Sequence, residues 1–543
     1  MALFLILLSL LVAVLTSALF FPKIVRFLTA QVGRHLRRSS LTRRELLLAR
    51  VEKETNHYEA QHAEIEDYDW EEIASVATDG QVSSNQADKH WEGIVGFFHP
   101  FCNAGGGGER VLWAAIRATQ KRWPKAVCVV YTGDHDVDKA AILKRVKDRF
   151  NIHLHPPTVH FLYLTTRHWV LASTWPRFTL LGQSLGSLVM AYDAFALLVP
   201  DIFVDTMGYA FALALSSLFF PNVPTGAYVH YPTISTDMLD SLQAGGQGVN
   251  AGAGKGYRGV AKQKYWQLFA QLYSKIGSTI DVVMTNSTWT QAHVSSLWGP
   301  SRNKRNNTTG NDIDVVFPPV AVEEVTKAVE VSQASEKKRG PYILYIAQFR
   351  PEKNHQLILE AFAQFLRSDP KFPAYPGEKP QLILIGSVRD SLDEKSVYKL
   401  RLLAHELHMK ENVEFLCDAP WPQMLEWMGR ASVGVNGMWN EHFGIGVVEY
   451  QAAGLISVVN DSGGPKLDIV VEVDGKPTGF HATTADEYAE GFRKALTLSP
   501  KETLAMRQRA RNSAERFTDR GFAEKWLRNM DKLVKLQVER TKH

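Results

Sequence analysis

The chain has 543 residues, of which 45% are apolar and 22% charged, a length beyond one ordinary domain and a composition that excludes wholesale disorder and a polytopic membrane protein. Its formal charge is only +4, and its one strong basic cluster lies beside an N-terminal apolar run, which argues against a nucleic-acid partner and for a membrane surface. Cys102, Cys128 and Cys417 are odd in number and far apart, so they form neither a disulfide framework nor a metal-ligand pattern.

No charged residue occurs over residues 2–22. As a helix this run spans about 30 Å, the thickness of a bilayer core, and it predicts a single transmembrane anchor over residues 1–22. Lys23, Arg26, Arg34, Arg37, Arg38, Arg43 and Arg44 follow it. A cleaved signal would carry its charges before the apolar stretch, and the positive-inside rule places this flank, with the body of the protein, in the cytosol. Residues 23–91 read as a basic juxtamembrane segment and then an acidic, polar linker containing Glu64, Asp69 and Glu72. Asn286-Ser287-Thr288 and the overlapping sequences at Asn306 and Asn307 match the glycosylation acceptor pattern, which a cytosolic domain leaves unused.

From Ile94 onward, short apolar runs alternate with helix-length segments. Residues 94–98, 126–131, 159–164, 201–204, 226–230, 281–285 and 314–317 are predicted strands of a first domain over 92–325. Residues 342–347, 382–386, 413–416, 432–436 and 456–460 are those of a second over 326–519. This alternation predicts an α/β protein of two Rossmann-like, doubly wound domains. The apolar run 210–220 is too short to span a bilayer and reads as a buried helix, with an interfacial helix as the alternative. The glycine-rich run 244–256 reads as a flexible loop. In 520–543, Phe522, Trp526, Leu527, Met530, Leu533 and Leu536 have the spacing of an amphipathic helix packing across the domains.

The first strand runs through His99-Pro100 into Asn103-Ala104-Gly105-Gly106-Gly107-Gly108-Glu109-Arg110, after which Val111, Leu112, Ala115 and Ile116 have helical spacing. A strand, a glycine turn and a helix start let backbone N–H groups approach an anion with no Cβ in the way. Gly105, Gly106, Gly107, Gly108 and Glu109 are therefore a candidate phosphate or acceptor loop, with a tight surface turn as the alternative. His230 ends another strand of this domain, and strand ends line the ligand crevice of open α/β sheets; a bond to a sugar and a structural role are equally open. Asp134, Asp136 and Asp138 precede a helix, where capping and turn chemistry explain them better than a metal site.

In the second domain, Gln348-Phe349-Arg350-Pro351-Glu352-Lys353-Asn354-His355 connects a strand to a helix. Arg350 and Lys353 are placed to neutralise a diphosphate as its bond to a sugar breaks; a solvated turn is the competing reading. The most specific feature is Asn440-Glu441-His442-Phe443-Gly444-Ile445-Gly446-Val447-Val448-Glu449, two glutamates separated by seven residues across a glycine turn that enters a helix. Carboxylates accept hydrogen bonds from hydroxyls, so Glu449 suits a ribose and Glu441 a sugar. Asn460-Asp461-Ser462-Gly463-Gly464-Pro465 is a further strand-to-glycine turn.

Together these motifs, over about residues 92–530, resemble the retaining GT-B glycosyltransferases with the Glu, seven-residue gap, Glu signature. The resemblance implies two domains facing a cleft. It also implies that Glu441 touches the transferred sugar, Glu449 binds ribose, Arg350 and Lys353 bind diphosphate, and the loop at Gly106, Gly107 and Gly108 approaches phosphate and acceptor. Phe443, Gly444, Ile445, Gly446, Gly463 and Gly464 would line the donor, and His230 would join Glu441, Lys353 and Arg350 as the catalytic set. The family's common Gly-Arg stands here as Ala347-Gln348, with the arginine two residues later at Arg350.

The strings Gly105-Gly106-Gly107-Gly108-Glu109-Arg110, Val204-Asp205-Thr206-Met207-Gly208-Tyr209 and His230-Tyr231-Pro232-Thr233-Ile234-Ser235 look like those of the α-1,2-mannosyltransferases of eukaryotic asparagine-linked glycosylation. That narrower resemblance implies GDP-mannose as donor and a dolichyl-diphosphate oligosaccharide as acceptor, which receives its fourth and fifth mannoses. It also implies the cytosolic face of the endoplasmic reticulum membrane and the company of other lipid-linked-oligosaccharide mannosyltransferases; with Asp134, Asp136 and Asp138 read as caps and turns, neither a metal nor a further cofactor is expected. A nucleotide-sugar epimerase and a non-catalytic scaffold of a glycosylation complex are the alternatives from other classes.

Overall fold

The computed structural model describes residues 2–62, 90–242, 256–306, 312–368 and 378–542. The chain forms two compact units, one of Met1–Met284, Val294–Asp314 and Glu524–His543, the other of Thr285–His293 and Val315–Ala523. The acidic linker, all but the last residue of the glycine-rich run 244–256, and Asn307 lie outside the described residues.

The first unit is built on β1 (Ile94–Phe98), β2 (Val127–Thr132), β3 (Val159–Tyr163), β4 (Ile202–Asp205), β5 (Thr225–Val229), β6 (Val282–Thr285) and β7 (Ile313–Val315). Their order in the sheet is β3-β2-β1-β4-β5-β6-β7. β1 pairs in parallel with both β2 and β4, as β2 does with β3 and β4 with β5. Every residue of β1, β2 and β4 is buried. Continuous apolar runs of this kind mark parallel strands covered on both faces.

One helix runs over Ala2–His62, and its second half is a packed element of this unit, where the sequence suggested a juxtamembrane segment. Leu36 and Val51 enter the core. Gly33 lies so close to the Phe219 carbonyl that a Cβ would stand 2.0 Å from its oxygen. Arg44 pairs with Asp201 at 2.6 Å and Arg43 donates to the Leu197 carbonyl at 2.8 Å. Two arginines of the basic cluster therefore fasten the helix to the unit, while Arg34 and Arg38 remain exposed. In the helix Ala210–Phe219, Phe211 and Leu213 are core residues, as the buried reading of that run expects.

The last helix, Asp519–Thr541, belongs to this unit from Glu524 onward. Buried Trp526 stacks on Phe97 at 6.2 Å and donates to Thr119 Oγ1 at 3.1 Å. Arg540 pairs with Asp281 at 2.6 Å.

The second unit carries β8 (Tyr342–Ile346), β9 (Gln381–Gly386), β10 (Val413–Cys417), β11 (Val433–Asn436), β12 (Ile456–Asn460), the small β13 (Glu472–Val473) and β14 (Lys476–Pro477), and β15 (Gly479–Ala482). The sheet order is β10-β9-β8-β11-β12-β15, and every pairing is parallel. The helix His355–Ser368 buries Ile358, Leu359, Phe362 and Phe365 against it, the helical period that the sequence shows. Within each sheet the first six strands follow the order 3-2-1-4-5-6. That is the Rossmann order, whose ligand crevice opens at the carboxyl ends of the strands where the order reverses, between β1 and β4 and between β8 and β11.

Asn286 and Ser287 are both buried, so that acceptor sequence is out of reach in the folded chain.

Candidate active site

The reversal point of the second sheet holds the site's central pair. β8 ends at Ile346 and leads through Arg350 into the short turn Pro351–Lys353. β11 ends at Asn436 and leads into the loop carrying Glu441. Across this gap Lys353 Nζ stands 2.6 Å from Glu441 Oε2. The lysine also reaches Met438 Sδ at 3.1 Å, and Asn436 Nδ2 lies 3.5 Å from the same carboxylate oxygen. The two backbones are tied in turn: Tyr345 donates its hydroxyl to the Lys353 carbonyl at 2.5 Å, and Tyr488 donates to the Asn436 carbonyl at 2.8 Å. An ammonium paired with a carboxylate, on a backbone that a packed tyrosine anchors, is a fixed cation, the kind of group that stabilises charge without reorganising as it develops. Arg350 is partly exposed on the same turn.

Two glycine turns lie backbone against backbone behind Glu441. Gly464 donates its N–H to the Glu441 carbonyl at 2.8 Å, and Asn440 N donates to Ser462 Oγ at 2.7 Å. Ser462 is itself held by Asn460 Oδ1 at 2.6 Å. Gly463 has φ +65°, and a Cβ there would stand 2.3 Å from the Glu441 carbonyl oxygen; one on Gly464 would stand 2.6 Å from Phe443 Cα. Only residues without a side chain permit this approach. Gly463 and Gly464 thus act on the loop that aims Glu441, and Phe443 is a core ring packed between Phe317 and Phe517 at 5.8 and 5.4 Å.

Gly444, at φ +107°, is the N-cap of the helix Ile445–Ala452, and Ile445 is partly buried against the core beneath. A Cβ on Gly446 would meet the Ile346 carbonyl at 3.6 Å, so the helix start leans on the end of β8. Glu449 follows one turn later. Tyr450 fixes the register, since its hydroxyl accepts from Ile346 N at 2.6 Å. Burial raises the Tyr450 phenol far above its ordinary pKa, and the charges of Glu449 and Glu441 add to the rise. Both carboxylates therefore lie within electrostatic reach of one hydroxyl. His442 stacks on Trp289 at 5.3 Å. Burial pushes its pKa down to about 4 against the pull of Glu441, so the ring is neutral near pH 7.

In the first unit the glycine loop and His230 are neighbours. A Cβ on Gly108 would stand 3.7 Å from His230 Nε2. Several groups of the loop are taken up internally. Gly106 N donates to Glu109 Oε2 at 2.6 Å, Asn103 N to Asp134 Oδ2 at 3.0 Å, and Arg149 Nε donates to the Gly105 carbonyl at 2.7 Å. Glu109 thus caps the helix Gly107–Arg122, and the part of the loop that faces His230 is Gly108. Asp138 caps the next helix, accepting from Ala141 N at 2.8 Å. At this sheet's own reversal point, fully buried His99 meets Thr206 Oγ1 at 2.7 Å. Burial, with His230 nearby, pushes the His99 pKa down to about 3.

Asn436, Met438, Ser462 and the His99–Thr206 pair were not singled out from the sequence. Asn436 had a readable signal, as a polar residue ending a buried strand just before the glutamate motif. Among the described residues, no group of three or more His, Cys, Asp or Glu side chains is placed to hold a metal ion.

Solved structures share the fold: HepE of Anabaena bound to UDP and glucose, at TM-score 0.53 and 15% identity over 80% of this chain and 98% of that one, and the α,α-trehalose 6-phosphate synthase of Burkholderia multivorans, at TM-score 0.56 and 13% identity over 81% and 98%. Residues 327–515 match the family described as glycosyl transferases group 1, and residues 92–298 the family described as ALG11 mannosyltransferase N-terminus. Two Rossmann-type sheets, with a paired Lys and Glu at the mouth of the second, define a glycosyltransferase of the GT-B class.

Its nearer relatives are more specific. A Neurospora crassa protein called GDP-Man:Man(3)GlcNAc(2)-PP-Dol alpha-1,2-mannosyltransferase is 64% identical over 97% of this chain and 96% of its own length. A Homo sapiens protein of the same name is 44% identical over 84% of this chain and 89% of its own. The chain belongs to the family of GDP-Man:Man(3)GlcNAc(2)-PP-Dol alpha-1,2-mannosyltransferases.

Proposed function

We propose that this chain is a retaining, metal-independent α-1,2-mannosyltransferase that moves mannose from GDP-mannose to a dolichyl-diphosphate oligosaccharide carrying three mannoses, adding the fourth and fifth. The observation that carries the reading is the Lys353–Glu441 pair, 2.6 Å apart at the reversal point of a Rossmann sheet, with Glu449 on the helix that follows. The names of the relatives supply the donor and acceptor chemistry.

In the reaction, the bond from the anomeric carbon to the diphosphate oxygen breaks and one to an acceptor hydroxyl forms on the same face. The hydroxyl proton passes to the departing phosphate oxygen, and GDP leaves. Lys353 and Arg350 neutralise the charge that gathers on the diphosphate, Glu441 orients the mannose, and Glu449 accepts the ribose hydroxyls. His230 and the Gly108 backbone serve the acceptor. With two side-chain cations on the leaving group, no step needs a metal ion.

The apolar run 2–22 would anchor the enzyme in the endoplasmic reticulum membrane by a single pass, and exposed Arg34 and Arg38 keep the catalytic units cytosolic.

Purified protein supplied with GDP-mannose and a short-chain lipid diphosphate pentasaccharide carrying three mannoses should return a product heavier by two hexoses. No mass gain, or a changed sugar on the nucleotide without acceptor, would overturn the proposal, the second result in favour of an epimerase.

A further inference from the structure

The geometry points to a second membrane contact on the first unit: the outer face of the helix Thr179–Leu197, with the aromatic segment that precedes it, lies in the interface of a phospholipid bilayer. The inference rests on the reading that residues 2–22 are inserted in the same membrane.

Apart from the helix that begins with the apolar run 2–22, Thr179–Leu197 is long and apolar enough to cross a bilayer, yet 44% of it is buried inside the protein. A spanning helix cannot keep so much of its surface in a soluble core, whereas a helix lying along the membrane shows one face to each phase. The inner face is Met190, Ala191, Ala194 and Phe195, all fully buried. The outer face is Leu185, Val189 and Tyr192, exposed by 46%, 42% and 47%, spaced by four and three residues on one side of the helix. Trp169, Leu171 and Phe178 extend the exposed apolar surface on the N-terminal side. Trp and Tyr are the side chains that favour the depth of the headgroups.

Several polar groups of this region are satisfied within the protein. Ser184 and Ser187 donate to the carbonyls of Leu180 and Ser184, both at 2.7 Å. Gln183 donates to the Val170 carbonyl at 2.8 Å, and the Trp175 indole to the Trp169 carbonyl at 2.7 Å. Asp193 accepts from Thr165 and Thr166, backbone and hydroxyl alike, at 2.8 to 3.2 Å. These groups need no water when the face enters lipid, which meets the condition that hydrocarbon imposes on them.

Lipid, and not another protein, is indicated by continuity with the N-terminal helix. That helix packs on Thr179–Leu197, with Arg43 donating to the Ala196 and Leu197 carbonyls at 3.4 and 2.8 Å. It exposes Ile24, Phe27 and Leu28 directly after the apolar run 2–22. The two helices thus present their apolar sides from one packed assembly.

The test uses the full chain with Cys417→Ser, because Cys417 is the exposed cysteine; Cys102 and Cys128 are buried, and burial pushes the Cys102 thiol up to about 12. Single cysteines at Val189→Cys, Lys144→Cys and Ser17→Cys carry an environment-sensitive fluorophore. The protein is reconstituted into phosphatidylcholine and phosphatidylinositol vesicles containing spin-labelled lipid. Position 189 should be quenched at least about twofold more than exposed position 144, with a blue-shifted emission, as expected of a site at the acyl boundary. Quenching at 17 with none at 189 above the level at 144 overturns this inference and leaves the anchor standing. No quenching at either position overturns both. Energy transfer between labelled copies in place of lipid quenching at 189 overturns it by assigning the face to a second copy of the chain.

Discussion

Lys353 holds its ammonium 2.6 Å from a carboxylate oxygen of Glu441, a residue 88 positions away in the chain. The pair closes the gap between β8 and β11 at the point where the strand order of the second sheet reverses. Both side chains are only partly buried, at 21% and 15% exposure, so water screens the pair and its contribution to folding is modest. Its worth lies in placing a fixed cation and a fixed carboxylate in one crevice.

Lys353→Met should lower the transfer rate by about 100-fold or more, the usual loss when a preorganised charge facing the reacting centre is removed. Because the two groups touch, Lys353→Met and Glu441→Gln should combine to much less than the sum of their separate effects. Single-turnover rates for the four chains of the cycle check this, and strict additivity would count against a shared site.

Gly464→Ala should misplace Glu441 without touching any substrate. The added Cβ would stand 2.6 Å from Phe443 Cα, and the strain should cost about 1–3 kcal/mol of stability together with most of the activity. Ser462→Ala, which loses the bond to Asn440 N, should cost about 1 kcal/mol and a smaller share of activity. Thermal unfolding and the transfer rate, measured side by side, rank the two variants.

Gly108→Ala separates the structural from the functional reading of the glycine loop. A Cβ there meets His230 Nε2 at 3.7 Å, an ordinary contact, and alanine within a helix is favoured over glycine by about 0.5–1 kcal/mol. The variant should keep or raise its melting temperature while transfer to the lipid-linked acceptor falls at least about tenfold, since a misplacement of the order of 1 Å at an approach surface can be worth 100-fold. Full activity would make the loop a simple turn.

His355 gives a pH dependence with a defined sign. It is 3% exposed, and burial, reinforced by the Lys353 charge, pushes its pKa down to about 4 from 6.5. The unfolded chain therefore binds the proton more readily than the folded one. The stability that neutral His355 contributes is fully present above pH 6.5 and is lost as pH falls from 6.5 through 4, by at most about 3 kcal/mol. Denaturant titrations of His355→Phe between pH 7 and 4 should show a shallower decline than those of the native chain; equal slopes would contradict the assignment.

On the proposed function, chelation should leave transfer unchanged, because Lys353 and Arg350 would take the role that a divalent cation fills in metal-dependent transferases. Rates measured in EDTA, before and after adding back magnesium or manganese, decide the point. A loss restored by metal would contradict it.

The sheets were the legible part of the sequence. β1 and β12 coincide with the predicted runs because a strand buried on both faces leaves an uninterrupted apolar string bounded by turns. β15 escaped notice since only Gly479 and Ala482 of its four residues are buried, so it carries no such string. The two glutamates and the lysine could be named from the motif and its flanking strands, but not their distance, which depends on Tyr345 and Tyr488 holding loops remote in sequence. The packing of the N-terminal helix was invisible for the same reason: Arg44 meets Asp201 across 157 residues, and an arginine after an apolar run reads equally well as a membrane flank. The role of Ser462, Gly463 and Gly464 in holding the Glu441 loop required seeing two backbones in contact.

The most direct test is the rate of mannose transfer from GDP-mannose to a three-mannose lipid diphosphate acceptor by the Glu441→Ala chain, after circular dichroism and thermal unfolding show its fold intact. A rate lower by at least about 100-fold, with GDP still bound, is what a carboxylate acting on the transferred sugar predicts. Transfer at the native rate by that chain would contradict the assignment of this crevice as the catalytic centre.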